Sequence, residues 1–287
     1  MKVTFICHSC FLVETAECYY LFDYYKGKLP SLDTEKPLLV FVSHSHQDHY
    51  NPAVFAMLRQ MGMKKVGAIF PNDIKPKNYP EGWALLKEDE VTADNGTTSG
   101  NGGISFDNKK SERISLQADV LPADHCSSMD VLEGHIFKVY HSREYDLPCR
   151  THIRTLLSTD SGVAYLLICP EGIFYHAGDL NDWITEDTPD TERRQMSGSF
   201  RAALRPLKDI SIDYACLPLD PHLGCHYADG FLYFLQHIGA GKVYPMHFWD
   251  KPEIADRFLW EHPEYQEIVV NIKDLFLEES ACRFFRE

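Results

Sequence analysis

Hydrophobic positions in this chain come first as short β-prone runs and later as alternating strand-like and helix-like stretches. Val3 to Val13 is one apolar run and Cys18 to Tyr24 a second, and the short connection Glu14 to Glu17 predicts a hairpin. Leu38-Leu39-Val40-Phe41-Val42 is apolar at every position, the pattern of a strand buried on both faces. Asn51-Pro52 then opens a helical pattern with Val54, Phe55 and Leu58 on one face, proline being suited to a first helical turn. Val66 to Phe70 predicts the next strand. Later strand signals fall at Ile114 to Leu116, Ile136 to Tyr140, Val163 to Ile168 and Ile173 to Tyr175, with Pro170-Glu171-Gly172 as a turn between the last two. Thr188 to Leu207 is helix-compatible in parts, and Tyr214 to Leu219 reads as a strand. Phe231 to Ile238 predicts a helix, Lys242 to Met246 a strand and Pro252 to Trp260 a helix. This mixture places the chain in the α/β (α+β) class.

One stretch breaks the pattern. Asp94 to Asn108 is dominated by Gly, Asn, Ser and Thr, which predicts a flexible insertion around residues 93–130 in an otherwise continuous unit spanning 1–287. With 287 residues, 44% hydrophobic and 13% aromatic, the chain can bury a sizeable core. The formal net charge of -14 repels phosphate backbones, so nucleic acid is not the expected partner. Small anionic substrates are not excluded, because bound cations reverse the sign locally. The nine cysteines are an odd number and scattered, which fits a reducing compartment and a cytoplasmic location. Met1 leads straight into a strand-like segment, and no apolar run approaches the roughly 18 residues that span a bilayer, so no membrane association is expected.

The chemistry concentrates after the buried strand. His44-Ser45-His46-Gln47-Asp48-His49 places four potential metal ligands between a strand end and a helix start. His44 and His46 are two apart, so in extended backbone they point to the same side and can share an ion. Asp48 and His49 lie where the chain turns and can serve a second. Imidazole and carboxylate together suit Zn²⁺, and also Mn²⁺ or Fe²⁺.

This His-x-His-x-Asp-His motif resembles the signature of the metallo-β-lactamase superfamily of metallohydrolases. Two later segments are similar to family motifs: His176-Ala177-Gly178-Asp179-Leu180-Asn181, ending in Gly-Asp after a strand, and Val243-Tyr244-Pro245-Met246-His247. Asp23, after Tyr20-Leu21-Phe22, matches an early Asp that supports the ligand loop in the family. The narrower likeness is to the branch that includes ascorbate-6-phosphate lactonase. It rests on His8-Ser9-Cys10-Phe11, Ser158-Thr159-Asp160-Ser161-Gly162, the 176–181 segment and Asp220-Pro221-His222-Leu223-Gly224.

The resemblance implies a four-layer αββα sandwich with two divalent ions, Zn or Mn with Fe as an option, between the sheet ends. It implies His44, His46 and a third ligand on one ion, Asp48, His49 and His247 on the other, and Asp179 bridging them. Asp48, His49 and Asp179 are then the catalytic candidates. Two such ions lower the pKa of a shared water, and the resulting hydroxide attacks a small ester, lactone or phosphate-containing metabolite. A nuclease or phosphodiesterase of the same fold, and a metal-binding protein with an incomplete site, are the competing readings. Assembly with copies of itself stays open.

The third ligand departs from the family pattern, which has a histidine there. Asp160 is the first choice, with His152, His125 and His141 as competitors. His8, Asp23, Asp220 and His222 are expected around the substrate or behind the ligands. Trp183 and Trp249 are candidates for pocket walls, although aromatic packing is the commoner fate. Cys7-His8-Ser9-Cys10 has the C-x-x-C spacing, but no second pair accompanies it, and it reads as core cysteines in a strand.

Overall fold

The computed structural model describes residues 1–86 and 133–272. Its strands form two sheets. The first has seven strands: β1 (Lys2–Cys7), β2 (Cys10–Glu14), β3 (Tyr19–Phe22), β4 (Leu38–Phe41), β5 (Val66–Pro71), β6 (Ala84–Leu86) and β7 (His135–Val139), in spatial order 1-2-3-4-5-7-6. The second has β8 (Glu144–Leu147), β9 (Thr151–Leu157), β10 (Val163–Cys169), β11 (Gly172–His176), β12 (Tyr214–Pro218) and β13 (Lys242–Met246), ordered from β13 to β8. The four described α-helices are α1 (Ala53–Gln60), α2 (Asp190–Leu204), α3 (Asp229–His237) and α4 (Glu253–Glu261).

The period-two alternation of strand side chains sorts residues into layers. In β3, Tyr20 and Phe22 enter the core shared with the second sheet, while Tyr19 and Leu21 join the cluster under α1. In β4, Leu39 and Phe41 face the first of these and Leu38 and Val40 the second. Val54, Phe55 and Leu58 of α1 complete that outer cluster. The second sheet has the same plan. Phe174 and His176 of β11 meet Phe22 across the interface, with ring centroids 5.1 Å apart in each case. Tyr175, pointing the other way, stacks on Phe234 of α3 at 5.4 Å. The result is the expected four-layer αββα sandwich, two sheets face to face with helices outside.

Several elements differ from the sequence expectation. Val3 to Val13 is not one strand but a tight hairpin of β1 and β2, turning at His8-Ser9. His8 makes that turn with φ 54°, a left-handed conformation normally taken by Gly or Asn, so the usual turn residues were missing from the sequence signal. β8 and β9 were not foreseen. Their inward positions include Thr151 and Thr155 and their outward ones His152 and Arg154, which blurs the apolar alternation. β6 is three residues long and carries too little pattern to detect. The strand expected at Ile114 to Leu116 and the insertion expected around 93–130 lie outside the described residues.

One contact locks the two sheets together at the end where the ligand candidates lie. The Tyr165 hydroxyl of β10 donates to the Val42 carbonyl at 2.9 Å, and the Val163 amide donates to the Ser43 carbonyl at 2.9 Å. That approach requires Gly162. Its φ is +65°, and a Cβ there would land on the Ser43 carbonyl oxygen and 2.6 Å from the His44 Cβ. Gly162→Ala is therefore expected to lower stability by about 2–4 kcal/mol, from left-handed strain plus overpacking. Thermal or denaturant unfolding measures it, and a wild-type midpoint would contradict the packing described.

Candidate metal centre

Each part of the site is delivered by the end of a strand. Asp23 follows β3, the segment His44 to His49 follows β4, Asp160 follows β9, Asp179 follows β11, Asp220 follows β12 and His247 follows β13. His8 arrives from the β1–β2 turn. Residues far apart in sequence thus meet at one edge of the sandwich.

There they form two groups, within each of which the potential ligand atoms lie within 4.8 Å of one another: His44, His46, Asp160 and Asp179, and His8, Asp48, His49 and His247. The Asp179 carboxylate stands between them. Its Oδ2 is 3.3 Å from His44 Nε2, whereas its Oδ1 is 3.1 Å from His49 Nε2 and 3.4 Å from His247 Nε2. In the first group His46 Nδ1 is 3.7 Å from Asp160 Oδ2. In the second, Asp48 Oδ2 lies 3.6 Å from His49 Nε2 and 3.8 Å from His247 Nε2.

Distances of 3.1–3.4 Å are within hydrogen-bond reach, but the geometry does not make hydrogen bonds of them. His44 Nε2, His49 Nε2 and Asp179 Oδ1 are buried and make no hydrogen bond. Such atoms are costly in a folded interior unless something else satisfies them. Ligand bonds of about 2.0–2.2 Å to a tetrahedral ion put neighbouring donors about 3.4 Å apart, within the range seen here. The donor set of imidazoles and carboxylates fits a divalent cation in each group.

The remaining ring nitrogens are held from behind. Asp23 is fully buried, with φ 48°. It accepts from the Ser43 amide and the Ser43 hydroxyl, each at 2.6 Å, and from His49 Nδ1 at 2.8 Å. Ser43 Oγ is also 2.9 Å from His44 Nδ1. On the other side Asp220 accepts from His247 Nδ1 at 2.9 Å and from the His222 amide at 2.8 Å. Each of these contacts fixes an imidazole so that its second nitrogen faces the cluster.

The electrostatics follow from this packing. Burial by itself would raise the Asp23 carboxyl, but His49, His176 and His44 outweigh it and hold it below the ordinary carboxylate value. Asp179 and Asp48 are likewise depressed against their burial. His49 and His44 outweigh it at Asp179, and His8 and His49 do so at Asp48. Asp220 is lowered in the same way by His247 and the His222 amide. His49 is driven the opposite way to its burial, well above the usual histidine value, by Asp179 and Asp23. At His8 burial prevails over Asp48 and lowers the imidazole.

Among the competitors for the third position, Asp160 is the one brought to the group. His152 sits near the other end of β9, paired with Asp146 at 2.8 Å and Glu144 at 3.6 Å. His141 is exposed beside Ser142, and His125 lies outside the described residues. His176 packs: its Nε2 donates to the Ser9 carbonyl at 2.9 Å while its Nδ1 accepts from the Gly178 amide at 3.2 Å. His222 is largely exposed and faces Trp249, ring to ring at 5.7 Å. Trp183 donates to the Asp179 carbonyl at 2.8 Å.

Three contributors had not been singled out. Ser43 is the hub between Asp23 and two ring nitrogens. Thr159 donates to the Asn181 carbonyl at 2.6 Å and accepts its amide at 3.1 Å, tying the Asp160 loop to the Asp179 loop. Asp73, just past β5, accepts from the Ser45 amide at 2.8 Å. Its place after a parallel strand next to β4 was a usable signal, since polar residues at such strand ends tend to face a shared site.

A family model described as beta-lactamase superfamily domain matches residues 2–194. The chain belongs to that family, the metal-dependent hydrolases of the metallo-β-lactamase fold. The match ends before Asp220, His222 and His247. No curated protein matches the chain. Solved structures with a similar course include Igni18, a metallo hydrolase from the archaeon Ignicoccus hospitalis, at 14% identity over 93% of each chain with a TM-score of 0.47. The metallo-β-lactamase fold protein YhfI from Bacillus subtilis shares 10% identity over 92% of this chain and 88% of its own, TM-score 0.42. Human tRNase Z, short form, shares 10% over 88% and 94%, TM-score 0.42. At such scores these likenesses carry no functional weight. No helix among the described residues is long and apolar enough to cross a membrane.

The support from behind the ligands is testable. Asp23→Asn keeps the shape but replaces an acceptor oxygen by a donor amide. It is expected to weaken metal affinity by about 10–100-fold, read by competition with a chromophoric chelator. Unchanged affinity would show that the His49 contact is dispensable.

Proposed function

We propose that the chain hydrolyses a small ester, lactone or phosphate-containing metabolite, with two divalent ions held side by side at this edge. The observation that carries the reading is the split of Asp179, one oxygen toward each ligand group. His44, His46 and Asp160 would hold one ion, Asp48, His49 and His247 the other, and Asp179 both. Ions so placed lower the pKa of a nearby water and stabilise negative charge developing on the substrate.

The protein's own contribution is orientation. Asp23 and Asp220 accept hydrogen bonds from Nδ1–H of His49 and His247, which leaves the Nε2 lone pairs free to face the cluster. The Thr159–Asn181 contacts hold the two carboxylate loops at a fixed spacing. Trp249, 41% exposed, and His222 form an aromatic edge beside His247. With Asp179 counted in both, each set offers two imidazoles and two carboxylates, a donor mix that suits Zn²⁺, Mn²⁺ or Fe²⁺. The net charge of -14 favours small molecules over polynucleotides as partners. Within the family, the 8–11, 158–162, 176–181 and 220–224 motifs favour lactones of phosphorylated sugar acids, the branch of ascorbate-6-phosphate lactonase.

Elemental analysis of protein purified without added metal should find one to two ions of Mn, Zn or Fe per chain. A panel of lactones, phosphodiesters and thioesters assayed with Mn²⁺ and Zn²⁺ should then give turnover that drops at least about a hundredfold in His46→Ala. Full activity in that variant would place the chemistry elsewhere. Metal-loaded protein with no turnover on any ester class would favour a metal-holding protein instead.

A further inference from the structure

His8 is out of character for a packed core histidine. Its side chain is 1% exposed, yet neither Nδ1 nor Nε2 makes a hydrogen bond. His176, buried in the same core, satisfies both of its nitrogens with backbone groups. A fully buried imidazole with two orphaned nitrogens costs free energy unless a partner of another kind completes it.

Its position names a partner for Nε2. His8 Nε2 is 3.3 Å from Asp48 Oδ2, the same oxygen that lies near His49 Nε2 and His247 Nε2. The contact is close to the tetrahedral ligand spacing of about 3.4 Å but lacks hydrogen-bond geometry. The ring is wedged against His247 at 4.5 Å and Trp249 at 4.6 Å, with Tyr25 at 5.8 Å. Its backbone is held as well. The His8 carbonyl accepts from the His247 amide at 3.4 Å, and the turn carries a register shift between Phe5 and Cys7. Left-handed strain at a bulky residue persists where the surroundings over-determine it, and it clusters at functional sites.

The geometry points to His8 as a further protein ligand of the ion assigned to Asp48, His49 and His247. This rests on the two-ion reading above. It also makes the two positions unequal. The side chains of His8, His49 and His247 are 1%, 0% and 7% exposed, whereas His46 and Asp160 are 51% and 44% exposed. The His8 ion would be the more enclosed of the two, with Asp48 at 23% its most exposed donor, and the His46–Asp160 ion would carry the more open face, with His44 buried behind it. Sites closed by protein ligands are structural in character, and an open position is what a substrate or reacting water needs. Substrate therefore approaches over His46 and Asp160, while the enclosed ion anchors Asp179.

The test uses the full chain loaded with Zn²⁺, in wild type, His8→Gly and Asp160→Ala. Glycine is chosen because it suits the left-handed turn, so the hairpin is kept. Circular dichroism checks the fold, and His8→Asn, also tolerant of this backbone, replaces it if the glycine variant is unfolded. In wild type, EDTA should strip one zinc quickly and the other slowly. In His8→Gly the slow phase should accelerate by about tenfold or more, the fast phase should be unchanged, and X-ray absorption at the zinc edge should lose one imidazole per chain. Asp160→Ala should alter the fast phase alone. Wild-type release and an unchanged imidazole count in folded His8 variants would overturn the assignment and leave the two-ion reading standing. Wild type that binds no zinc, manganese or iron would overturn both.

Discussion

The Asp23 carboxylate and the three groups that donate to it hold the rest of the site in place. Buried without exposure to water, it accepts from the Ser43 amide, the Ser43 hydroxyl and His49 Nδ1. A carboxylate in such a place is tolerable only when its lone pairs are filled and cationic or polar groups surround it. Those donors come from the loop after β4, so the charge of Asp23 dictates the path of that loop. Through Ser43 it reaches His44, and through the ring it reaches the far nitrogen of His49. The left-handed backbone at Asp23 is the local cost of placing the carboxylate there.

Packing between the sheets fixes the second half of the arrangement. Gly162 and Gly178 both press on Ser43, with φ values of +65° and +52° that leave no room for a side chain. They bring β10 and the loop after β11 against the β4 loop, so Asp160 and Asp179 meet the histidines. The carboxylates and imidazoles then depress or raise one another's pKa against the pull of burial. That mutual dependence makes the cluster one coupled unit rather than a set of independent ion pairs.

The two ligand groups differ in their access to solvent, and this follows from where their elements lie. His8, His49 and His247 sit under the β1–β2 turn and Trp249, whereas His46 and Asp160 stand on exposed loops. A fold built from two packed sheets offers one edge at which strand ends converge, and function resides in the residues placed there.

The chain order of the candidate ligands was legible in the sequence because strands feeding a common edge leave short, dense motifs: His44 to His49, Gly178-Asp179 and Met246-His247. The buried strand Leu38 to Val42 and the helix with Val54, Phe55 and Leu58 could be read for the same reason, a periodicity that burial imposes on local sequence. Asp160 could be nominated but not separated from His152, since the two flank most of β9 and only the strand's direction decides which end meets the site. His8 was harder still. Nothing local marks a histidine that turns a hairpin in left-handed backbone, and an apolar run on both sides reads as a single strand. The sequence by itself determined which chemical groups were available and in what order. Tertiary packing decided which of them converge, which nitrogens are left without hydrogen bonds and which side stays open, because those depend on contacts between residues from twenty to more than a hundred positions apart.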